Sequence, residues 1–364
     1  MAGVYVHIPF CRAKCSYCDF YSLANHRLLP EYVGALEREW DARRHELGAE
    51  TVETIYIGGG TPSVMSVNDI ARIISFLPAE HVTELTVEAN PENIDDATVR
   101  AWRSAGVNRV SIGVQSLVDS ELKAVGRKHT ASRALEAIEI LHRQGISNVS
   151  ADLIYGLPGQ TIESWRRSLD GLIQSSVTHL SAYSLSFEPG TRLYRQLQQG
   201  IVREADDGLS ADMYRLLCRV ARGAGFEHYE ISNFAKPGSR SAHNSSYWNL
   251  TPYLGLGPGA HSLGADGIRR FTPPDLKYYI KRPETSVLID EENDDERFND
   301  LILISLRTAH GLDLSMVDSR YIKRLLQKID RLIVQQNLQR DGNRIYIPED
   351  RWLTSDAVIR ELFV

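Results

Sequence analysis

Short strand-like runs alternate with helix-like runs through the first 190 residues of this 364-residue chain, and this order of elements constrains the fold most. The predicted strands cover residues 4–8, 54–57, 84–87, 109–112, 148–154 and 179–185. Amphipathic spacing predicts helices over residues 31–45, 68–77, 96–105, 131–144 and 162–174. Strict alternation implies parallel strands joined by crossover helices. The sequence therefore predicts an α/β fold with six such units, an incomplete barrel rather than one of eight strands.

The pattern changes after residue 190. A helix is predicted over residues 206–223, whereas residues 232–273 are rich in Gly, Asn, Ser and Tyr and are expected to form a long ordered loop region. The acidic run 290–296 is interpreted as a linker, with a solvated helix cap as the alternative. From residue 297 onward helices dominate, with a strand at 344–347 and a last helix from 354. We therefore divide the chain into a barrel (1–235), a loop-rich segment bordering the barrel mouth (236–290) and a small C-terminal helical domain with a wing (291–364).

Polar and glycine-rich signals recur where the predicted strands end. They are Cys11, the run 58–61, Glu88, Gln115 and Asp152. In barrels of parallel strands, the reactive residues lie at the carboxyl ends of the strands. Five such signals on one predicted rim indicate a single functional site there.

Charge and hydropathy exclude some classes of function. The chain has 41 basic and 47 acidic residues, a net charge of −6, which argues against a nucleic-acid partner held by overall charge. No apolar run reaches the roughly 18 residues that a membrane-spanning helix needs. Residues 1–10 are apolar but lack the basic region and cleavage site of a signal peptide. With three of only four cysteines clustered, we expect a cytosolic protein.

Three cysteines, Cys11, Cys15 and Cys18, lie within one short segment. Three thiolates in one loop can converge on an iron–sulfur cluster, and three ligands leave one of four irons open for a small molecule. The alternative is three buried or free thiols without a metal. The fourth cysteine, Cys218, lies in an amphipathic helix and is expected to be an ordinary core residue.

The spacing Cys-x3-Cys-x2-Cys, with Tyr17 before the last cysteine, resembles the radical S-adenosylmethionine (SAM) superfamily. More narrowly, the chain is similar to the oxygen-independent coproporphyrinogen oxidase family. The matching segments are YVHIPFC (5–11), GGGTP (58–62), EANP (88–91), SIGVQS (111–116), DLIYGLPG (152–159), HNSSYW (243–248) and GPGAHS (257–262). This resemblance covers nearly the whole chain and implies a partial (β/α)6 radical SAM barrel followed by a small winged-helix-like domain.

Two branches of that family differ near the cysteines. The oxidase branch has a further cysteine two residues after the third, and a longer amino-terminal segment. Here position 20 is Phe20, and ten residues precede Cys11. Both departures resemble the branch of heme chaperones, which bind heme and deliver it to target proteins, and imply no coproporphyrinogen oxidase activity. Coproporphyrinogen III oxidase is the alternative, and a radical enzyme with an unrelated substrate is a third, because the fold hosts many chemistries.

The resemblance also implies roles for single residues. Cys11, Cys15 and Cys18 would hold a [4Fe–4S] cluster whose open iron is chelated by the amino and carboxylate groups of SAM. Glycines at 58–60 would let the backbone approach the methionyl end of SAM. The other residues implied to contact a first SAM molecule, or to surround the cofactors, are Tyr5, Gly59, Glu88, Gln115, Arg127 and Asp152. Those that match contacts to a second SAM molecule are Tyr17, Gly60, Thr61 and Ile154. The plainer alternatives are a surface carboxylate for Glu88 and a solvated charge for Arg127.

His243 is the candidate heme ligand, since neutral imidazole commonly ligates heme iron. Tyr247 and Trp248 would stack on the macrocycle. The alternative is that His243 and its neighbour Asn244 brace a loop over the barrel mouth. The partners implied are heme, heme-accepting apoproteins such as respiratory cytochromes near the membrane, an electron donor for the cluster, and a second copy in a dimer.

Overall fold

The computed structural model describes residues 1–364 and contains fifteen strands and thirteen α-helices. The strands are β1 Ala2–Ile8, β2 Val52–Gly59, β3 Glu84–Ala89, β4 Arg109–Gln115, β5 Asn148–Tyr155, β6 His179–Ser184, β7 Glu227–Glu230, β8 Asn233–Ala235, β9 Tyr253–Leu256, β10 His261–Leu263, β11 Arg269–Phe271, β12 Leu288–Ile289, β13 Leu312–Asp313, β14 Gln339–Asp341 and β15 Arg344–Tyr346. The helices are α1 Leu29–Arg43, α2 Val67–Phe76, α3 Asp96–Ser104, α4 Asp119–Ala124, α5 Ala131–Arg143, α6 Ile162–Ile173, α7 Arg192–Gln198, α8 Asp207–Gly223, α9 Ala242–Tyr247, α10 Leu276–Lys281, α11 Asp294–Leu306, α12 Ser319–Val334 and α13 Ser355–Leu362. None of these helices combines the length and apolar character needed to cross a membrane.

One sheet of twelve strands organises the barrel, in the order β12-β11-β10-β9-β1-β2-β3-β4-β5-β6-β8-β7. Strands β1 to β6 are parallel and adjacent in chain order, which confirms the predicted strand–helix units. A seventh parallel strand, β9, pairs with β1 from far along the chain, with Gly3 opposite Tyr253. The strands beyond β9 and beyond β6 are antiparallel. The result is the predicted α/β fold, a partial (β/α)6 barrel.

The parallel strands have one apolar and one polar face. On β2, Ile55 and Ile57 are fully buried in the main hydrophobic core under the helices. Tyr56, between them, faces the other way and donates to Glu88 on β3. Strands covered on both faces by apolar layers are hydrophobic throughout, so this alternation marks an interior chamber. Its polar residues on β1 to β6 include Tyr5, His7, Thr54, Tyr56, Glu84, Thr86, Glu88, Arg109, Ser111, Ser150, Asp152, His179 and Ser181.

Side-chain caps fix where the crossover helices begin. Ser66, Asp95, Thr130 and Thr161 each accept a hydrogen bond from the backbone N–H three residues later, at the starts of α2, α3, α5 and α6. Such caps satisfy donors that the first helical turn leaves unpaired. Helix α5 ends close to its predicted boundary at residue 144, because Gly145 takes φ +86° just after the C-cap. The caps thus deliver each following strand to the sheet at a defined place.

The prediction of a long loop over 232–273 is wrong in part. Residues 233–271 contain β8, α9, β9, β10 and β11, all short. The strands have three or four residues each, too few for a periodic pattern. Their stability comes from pairing with β6, β1 and one another. Tertiary contacts therefore decide the structure of this segment, not local sequence preference.

The C-terminal part has its own core of 16 buried residues between Phe298 and Leu362. Helices α11 to α13 surround it, with a three-stranded sheet in the order β13-β15-β14 that corresponds to the predicted wing. The acidic run begins outside any helix, but Asn293 and Glu296 form a capping box at the start of α11. The run therefore contains both an irregular segment over 290–293 and the helix cap of the alternative. The division of the chain at residues 235 and 290 stays a prediction.

Candidate functional site

The segment that carries the three cysteines follows β1 and is tied to the barrel at several points. The backbone N–H of Cys11 donates to Leu23 O at 3.0 Å, and the His26 ring bonds to Cys11 O at 3.0 Å. Ser16 N donates to Val125 O at 3.1 Å and Ser16 O accepts from Leu193 N at 2.7 Å. Cys11 is buried, and Cys15 and Cys18 are half-buried. The loop is thus held by chain segments from both flanks of the barrel mouth.

Two of the sulfur atoms face hydrogen-bond donors. Thr61 Oγ1 donates to Cys11 Sγ at 3.3 Å, and Arg127 Nη1 donates to Cys15 Sγ at 3.5 Å. The other nitrogen of that guanidinium, Nη2, donates to Asn90 Oδ1 at 2.7 Å. Hydrogen-bond donors and a fixed positive charge beside sulfur are typical outer contacts of metal-bound thiolates. Arg127 is therefore a bound part of the site and not the solvated charge of the alternative.

The glycines at the end of β2 have no room for side chains. A Cβ on Gly60 would lie 2.7 Å from Phe10 O and 3.1 Å from Cys11 Sγ. Gly59 takes φ +103°, and its Cβ would lie 2.7 Å from the His7 ring. Chain and sulfur are close enough here that only glycine fits. This cradle, together with the three thiols and their donors, fits an iron–sulfur cluster with a small ligand beside it.

Two half-buried carboxylates lie on the inner face below the cradle. Glu88 accepts from Tyr56 Oη at 2.8 Å and from Gly59 N at 3.0 Å. Burial raises the pKa of Glu88 to about 7, with the negative charge of Asp152 adding to the shift. Burial likewise raises the pKa of Asp152 to about 6, although Ser111 Oγ donates to it at 3.0 Å. Glu88 is thus not the surface carboxylate of the alternative; both groups can accept protons or hydrogen bonds from a ligand with hydroxyl or amino groups.

Three other predicted residues lie around this chamber. Tyr5 is on β1, with its hydroxyl 3.1 Å from His7 Nδ1. Gln115 ends β4 at φ +66°, where the register between β4 and β5 shifts. A Cβ on Gly113 would lie 2.9 Å from Gln115 Nε2 and 3.0 Å from Arg127 Nη2, so the side chains of Gln115 and Arg127 meet over that glycine. A left-handed conformation at a non-glycine residue is a strained feature typical of functional sites.

The residues expected to contact a second SAM molecule fall into two groups. Tyr17 packs against a small apolar cluster that includes Ile154 and Leu185. Gly60 and Thr61 lie on the glycine cradle beside Cys11. Both groups lie beside the cysteine loop. The structure therefore brings together every predicted site residue except His243.

His243 lies at the opposite end of the barrel. Its Nδ1 is 2.8 Å from Thr54 Oγ1 and its Nε2 is 2.8 Å from Tyr247 Oη, so both ring nitrogens have partners. The N–H groups of Ala242 and His243 donate to Glu84, the first residue of β3. His243 is fully buried, and burial lowers its pKa to about 3, which keeps the imidazole neutral. The alternative expectation, that His243 braces a loop over the mouth, is wrong, because α9 closes the amino ends of the strands.

Sequence reasoning missed three residues that complete the site. Tyr56 and Ser111 hold the two carboxylates, and Asn90 holds Arg127. A signal was present: polar residues recur at every second position of each predicted parallel strand, where an entirely apolar run is usual. That period of two identifies the inner face directly.

The fold and the cysteine loop define a radical SAM protein, and residues 5–172 match the family model of the Radical SAM superfamily. The heme chaperone HemW of Lactococcus lactis subsp. lactis is 33% identical over 358 residues, which cover 95% of this chain and 93% of that protein. The mitochondrial radical S-adenosyl methionine domain-containing protein 1 of Bos taurus is 42% identical over 285 residues, 74% of this chain and 63% of the bovine protein. The chain belongs to the HemW family.

A solved structure supports the fold over the whole chain. Coproporphyrinogen III oxidase (HemN) from Escherichia coli aligns with a TM-score of 0.84 at 21% identity, over 100% of this chain and 90% of the other. At that identity the likeness concerns architecture. Membership of the radical SAM superfamily brings a [4Fe–4S] cluster and SAM as cofactors.

Proposed function

We propose that this chain is a heme chaperone that binds heme and transfers it to apoproteins, with a [4Fe–4S] cluster and SAM as resident cofactors. The observation that carries this proposal is the 33% identity to a protein named heme chaperone, over 95% of this chain. The acceptors we propose are respiratory cytochromes, reached from the cytoplasm by association with membrane-bound partners. An electron donor for the cluster and a dimeric state belong to the same proposal.

Cys11, Cys15 and Cys18 are the proposed cluster ligands, and the iron without a cysteine binds SAM. When bound, the cluster supplies an electron that can cleave the sulfonium of SAM. Thr61 and Arg127 orient the thiolates through the hydrogen bonds described above. The residues proposed to position SAM are Tyr5, Gly59, Glu88, Gln115, Arg127 and Asp152, with Tyr17, Gly60, Thr61 and Ile154 around a second molecule.

The closeness of Gly60 to Cys11 gives a test of the cluster site. Gly60→Ala places a methyl group against Phe10 O and Cys11 Sγ, so we expect reconstituted protein to lose at least half of its cluster iron and sulfide. Gly223→Ala is the matched control, because nothing lies within 4 Å of a Cβ there. Iron, sulfide and SAM binding are measured after anaerobic reconstitution. Equal iron and sulfide in the two variants would contradict the placement of the cluster.

His243 is the proposed heme ligand, and both of its ring nitrogens already have hydrogen-bond partners, one of which must be released before heme iron can bind. Heme iron can reach Nε2 only after the bond to Tyr247 Oη opens, since Nδ1 is already bonded to Thr54. Tyr247→Phe removes that competing bond while keeping the ring. We therefore expect Tyr247→Phe to bind heme several-fold more tightly than the wild type, and His243→Ala to change the Soret band.

The function is tested by anaerobic heme titration of the reconstituted protein, read from the Soret band, for the wild type, His243→Ala and Tyr247→Phe. Loss of coproporphyrinogen is followed in parallel samples. One-to-one heme binding without turnover supports a carrier. Turnover of coproporphyrinogen coupled to SAM cleavage would overturn the chaperone proposal in favour of the oxidase. An unchanged spectrum in His243→Ala would remove that residue from the role of ligand.

A further inference from the structure

A second group of metal-binding side chains lies away from the cysteine loop. Cys218 on α8, His228 on β7 and Glu349, which begins the 3-10 helix Glu349–Thr354, place one ligand atom each within 4.8 Å of the others. Cys218 Sγ is 4.0 Å from His228 Nδ1, which is 3.0 Å from Glu349 Oε1. Tetrahedral bonds of about 2.3 Å to sulfur and about 2.0 Å to nitrogen and oxygen separate ligand atoms by about 3.3 to 3.6 Å. The two separations that involve His228 are thus within about half an ångström of a zinc geometry, and the third, between the sulfur and the carboxylate, is at most 4.8 Å.

The two acceptors that face His228 require a positive charge at this place, either a second ring proton or a metal ion. Its Nδ1 faces Glu349 Oε1, and its Nε2 faces Ile231 O at 3.3 Å. A neutral imidazole carries one N–H, so it cannot donate to both oxygens. With the hydrogen on Nε2, the lone pair of Nδ1 points at a carboxylate oxygen. A metal ion bonded to both Nδ1 and Oε1 removes that repulsion and leaves Nε2–H donating to the carbonyl.

The neighbours of the group hold the ligands in place. The ring of His228 stacks on Phe234 at 3.9 Å between centroids, and Trp352 packs against it in a T-shaped arrangement at 4.3 Å between centroids. The guanidinium of Arg222 binds the other oxygen of Glu349, which fixes the carboxylate. Metal ligands in proteins are typically oriented by such outer contacts, including a histidine N–H that donates to a backbone carbonyl.

One side of the group is open. A cavity of 340 Å³ is lined by Cys218 and Glu349, with Tyr214 and Leu353 among the other walls. A fourth position on the metal would therefore face water. The donor set of one thiolate, one imidazole and one carboxylate suits Zn²⁺, which accepts all three ligand types and tolerates an open position.

We propose that Cys218 Sγ, His228 Nδ1 and Glu349 Oε1 bind one Zn²⁺, with water as the fourth ligand. The thiol loses its proton to solvent on binding, and thiolate and carboxylate together balance the charge of the ion. Because Cys218 and His228 belong to the barrel and Glu349 to the C-terminal part, the ion joins the two. This inference is independent of heme transfer and of the cluster.

The test must separate this site from the cysteine loop, because three thiolates in one loop also suit Zn²⁺ when no cluster is present. The full chain with Cys11, Cys15 and Cys18 replaced by serine is titrated anaerobically with Co²⁺, whose thiolate charge-transfer band reports a sulfur ligand. We expect one equivalent to bind, with release of one proton, and Zn²⁺ to displace it. In the cluster-loaded wild type, elemental analysis should find one zinc per chain.

Three variants and a control decide the ligands. Adding Cys218→Ser should abolish the charge-transfer band, and His228→Gln or Glu349→Gln should weaken Co²⁺ binding at least tenfold. Asp350→Asn, an exposed neighbour on the same 3-10 helix, should bind as before. No band at saturating Co²⁺, or a band that survives Cys218→Ser, would overturn the proposal and leave His228 and Glu349 as a proton-mediated pair. Circular dichroism and the melting temperature of each apo variant show whether a loss of binding comes from misfolding.

Discussion

At the scale of single residues, the half-buried carboxylates beneath the glycine cradle decide how the site responds to pH. Glu88 lies half-buried on the inner barrel face, where two hydrogen-bond donors replace part of its contact with water. Its pKa is therefore raised from about 4.5 to about 7. In the folded state without ligands, this carboxyl group binds its proton more tightly than it does in the unfolded chain. The charge that forms above that pKa is destabilising until a ligand donates to it.

The substitution Glu88→Gln tests whether the charge on this carboxyl group destabilises the folded protein. Between about pH 4.5 and 7 the folded state binds more protons than the unfolded state, so this group makes stability fall as pH rises. Glutamine removes that loss, and its amide can donate to Tyr56 Oη while its oxygen accepts from Gly59 N. From pH 5 to pH 8 the variant should gain up to about 3 kcal/mol in free energy of unfolding relative to the wild type.

Urea unfolding of the ligand-free protein at both pH values measures the difference. Glu139→Gln, an exposed residue of α5, is the matched control and should track the wild type. If the free energy of unfolding changes equally between the two pH values in both variants, Glu88 titrates with an ordinary pKa. SAM affinity of Glu88→Gln, measured separately, shows whether the charge or only the shape of this side chain matters for the cofactor.

Residue types and spacing predicted part of this site, and the rest depends on contacts between residues far apart in the sequence. The cysteine spacing, the glycine run and the carboxylates at strand ends indicated one rim, because parallel strands bring their carboxyl ends together. The location of His243 in the fold could not be predicted in this way. Its position depends on Glu84 capping α9 at the amino end of β3, a contact between residues 157 to 159 positions apart.

At the scale of elements, α1 connects β1 to the strands that arrive late in the chain. The buried Arg43 donates to Glu39 at 2.6 Å and to Gly255 O at 3.0 Å. The other oxygen of Glu39 accepts from Gly257 N at 2.8 Å and from Tyr279 Oη at 2.6 Å. One carboxylate thus joins helix α1, the end of β9 and helix α10. Burial raises its pKa, while the positive charge of Arg43 opposes the shift.

Glu39→Ala should therefore destabilise the protein strongly. It leaves Gly257 N and Tyr279 Oη without an acceptor, and breaking a buried ion pair typically costs about 3 to 5 kcal/mol. Arg43 keeps Glu46 at 2.9 Å, so we expect a value near 3 kcal/mol in urea unfolding.

Glu37→Ala is the matched control on the same helix, because Glu37 forms an exposed pair with Arg72 at 2.9 Å. Such surface pairs contribute about 0 to 1 kcal/mol. A similar loss in both variants would show that the buried carboxylate is not the connection between α1 and the late strands.

The elements that sequence patterns predicted are those with long periodic runs. The six parallel strands and their crossover helices all occur, with ends shifted by a few residues. By contrast β8 to β11, of three or four residues, carry no usable period. A turn-rich composition was correctly seen in this region, but pairing with distant strands gives it regular structure.

At the scale of the whole molecule, two separate hydrophobic cores lie on either side of residues 280–297. The larger has 56 residues ending at Tyr279, and the smaller has 16 beginning at Phe298. Few polar contacts connect the parts, among them Arg269 with Glu292 and Asp300, each at 2.9 Å. The wing and helices of the C-terminal part were predicted from its local patterns. How it docks was not, because docking depends on contacts between residues far apart in the chain, among them the backbone hydrogen bonds from Ile231 N to Arg307 O and from Ala309 N to Tyr229 O, each at 3.1 Å.

The pairing of β9 with β1 has a consequence for the newborn chain on the ribosome. When β1 emerges, its partner on one side is still about 245 residues from being made, since Ile8 precedes Tyr253 by that distance. At elongation rates of about 5 to 20 residues per second, that wait lasts roughly 10 to 50 seconds. During that time the cysteine loop lacks the contact of Tyr21 Oη with Leu276 N at 2.9 Å. Iron–sulfur insertion into a fully formed loop is therefore an event of late translation or of the released chain.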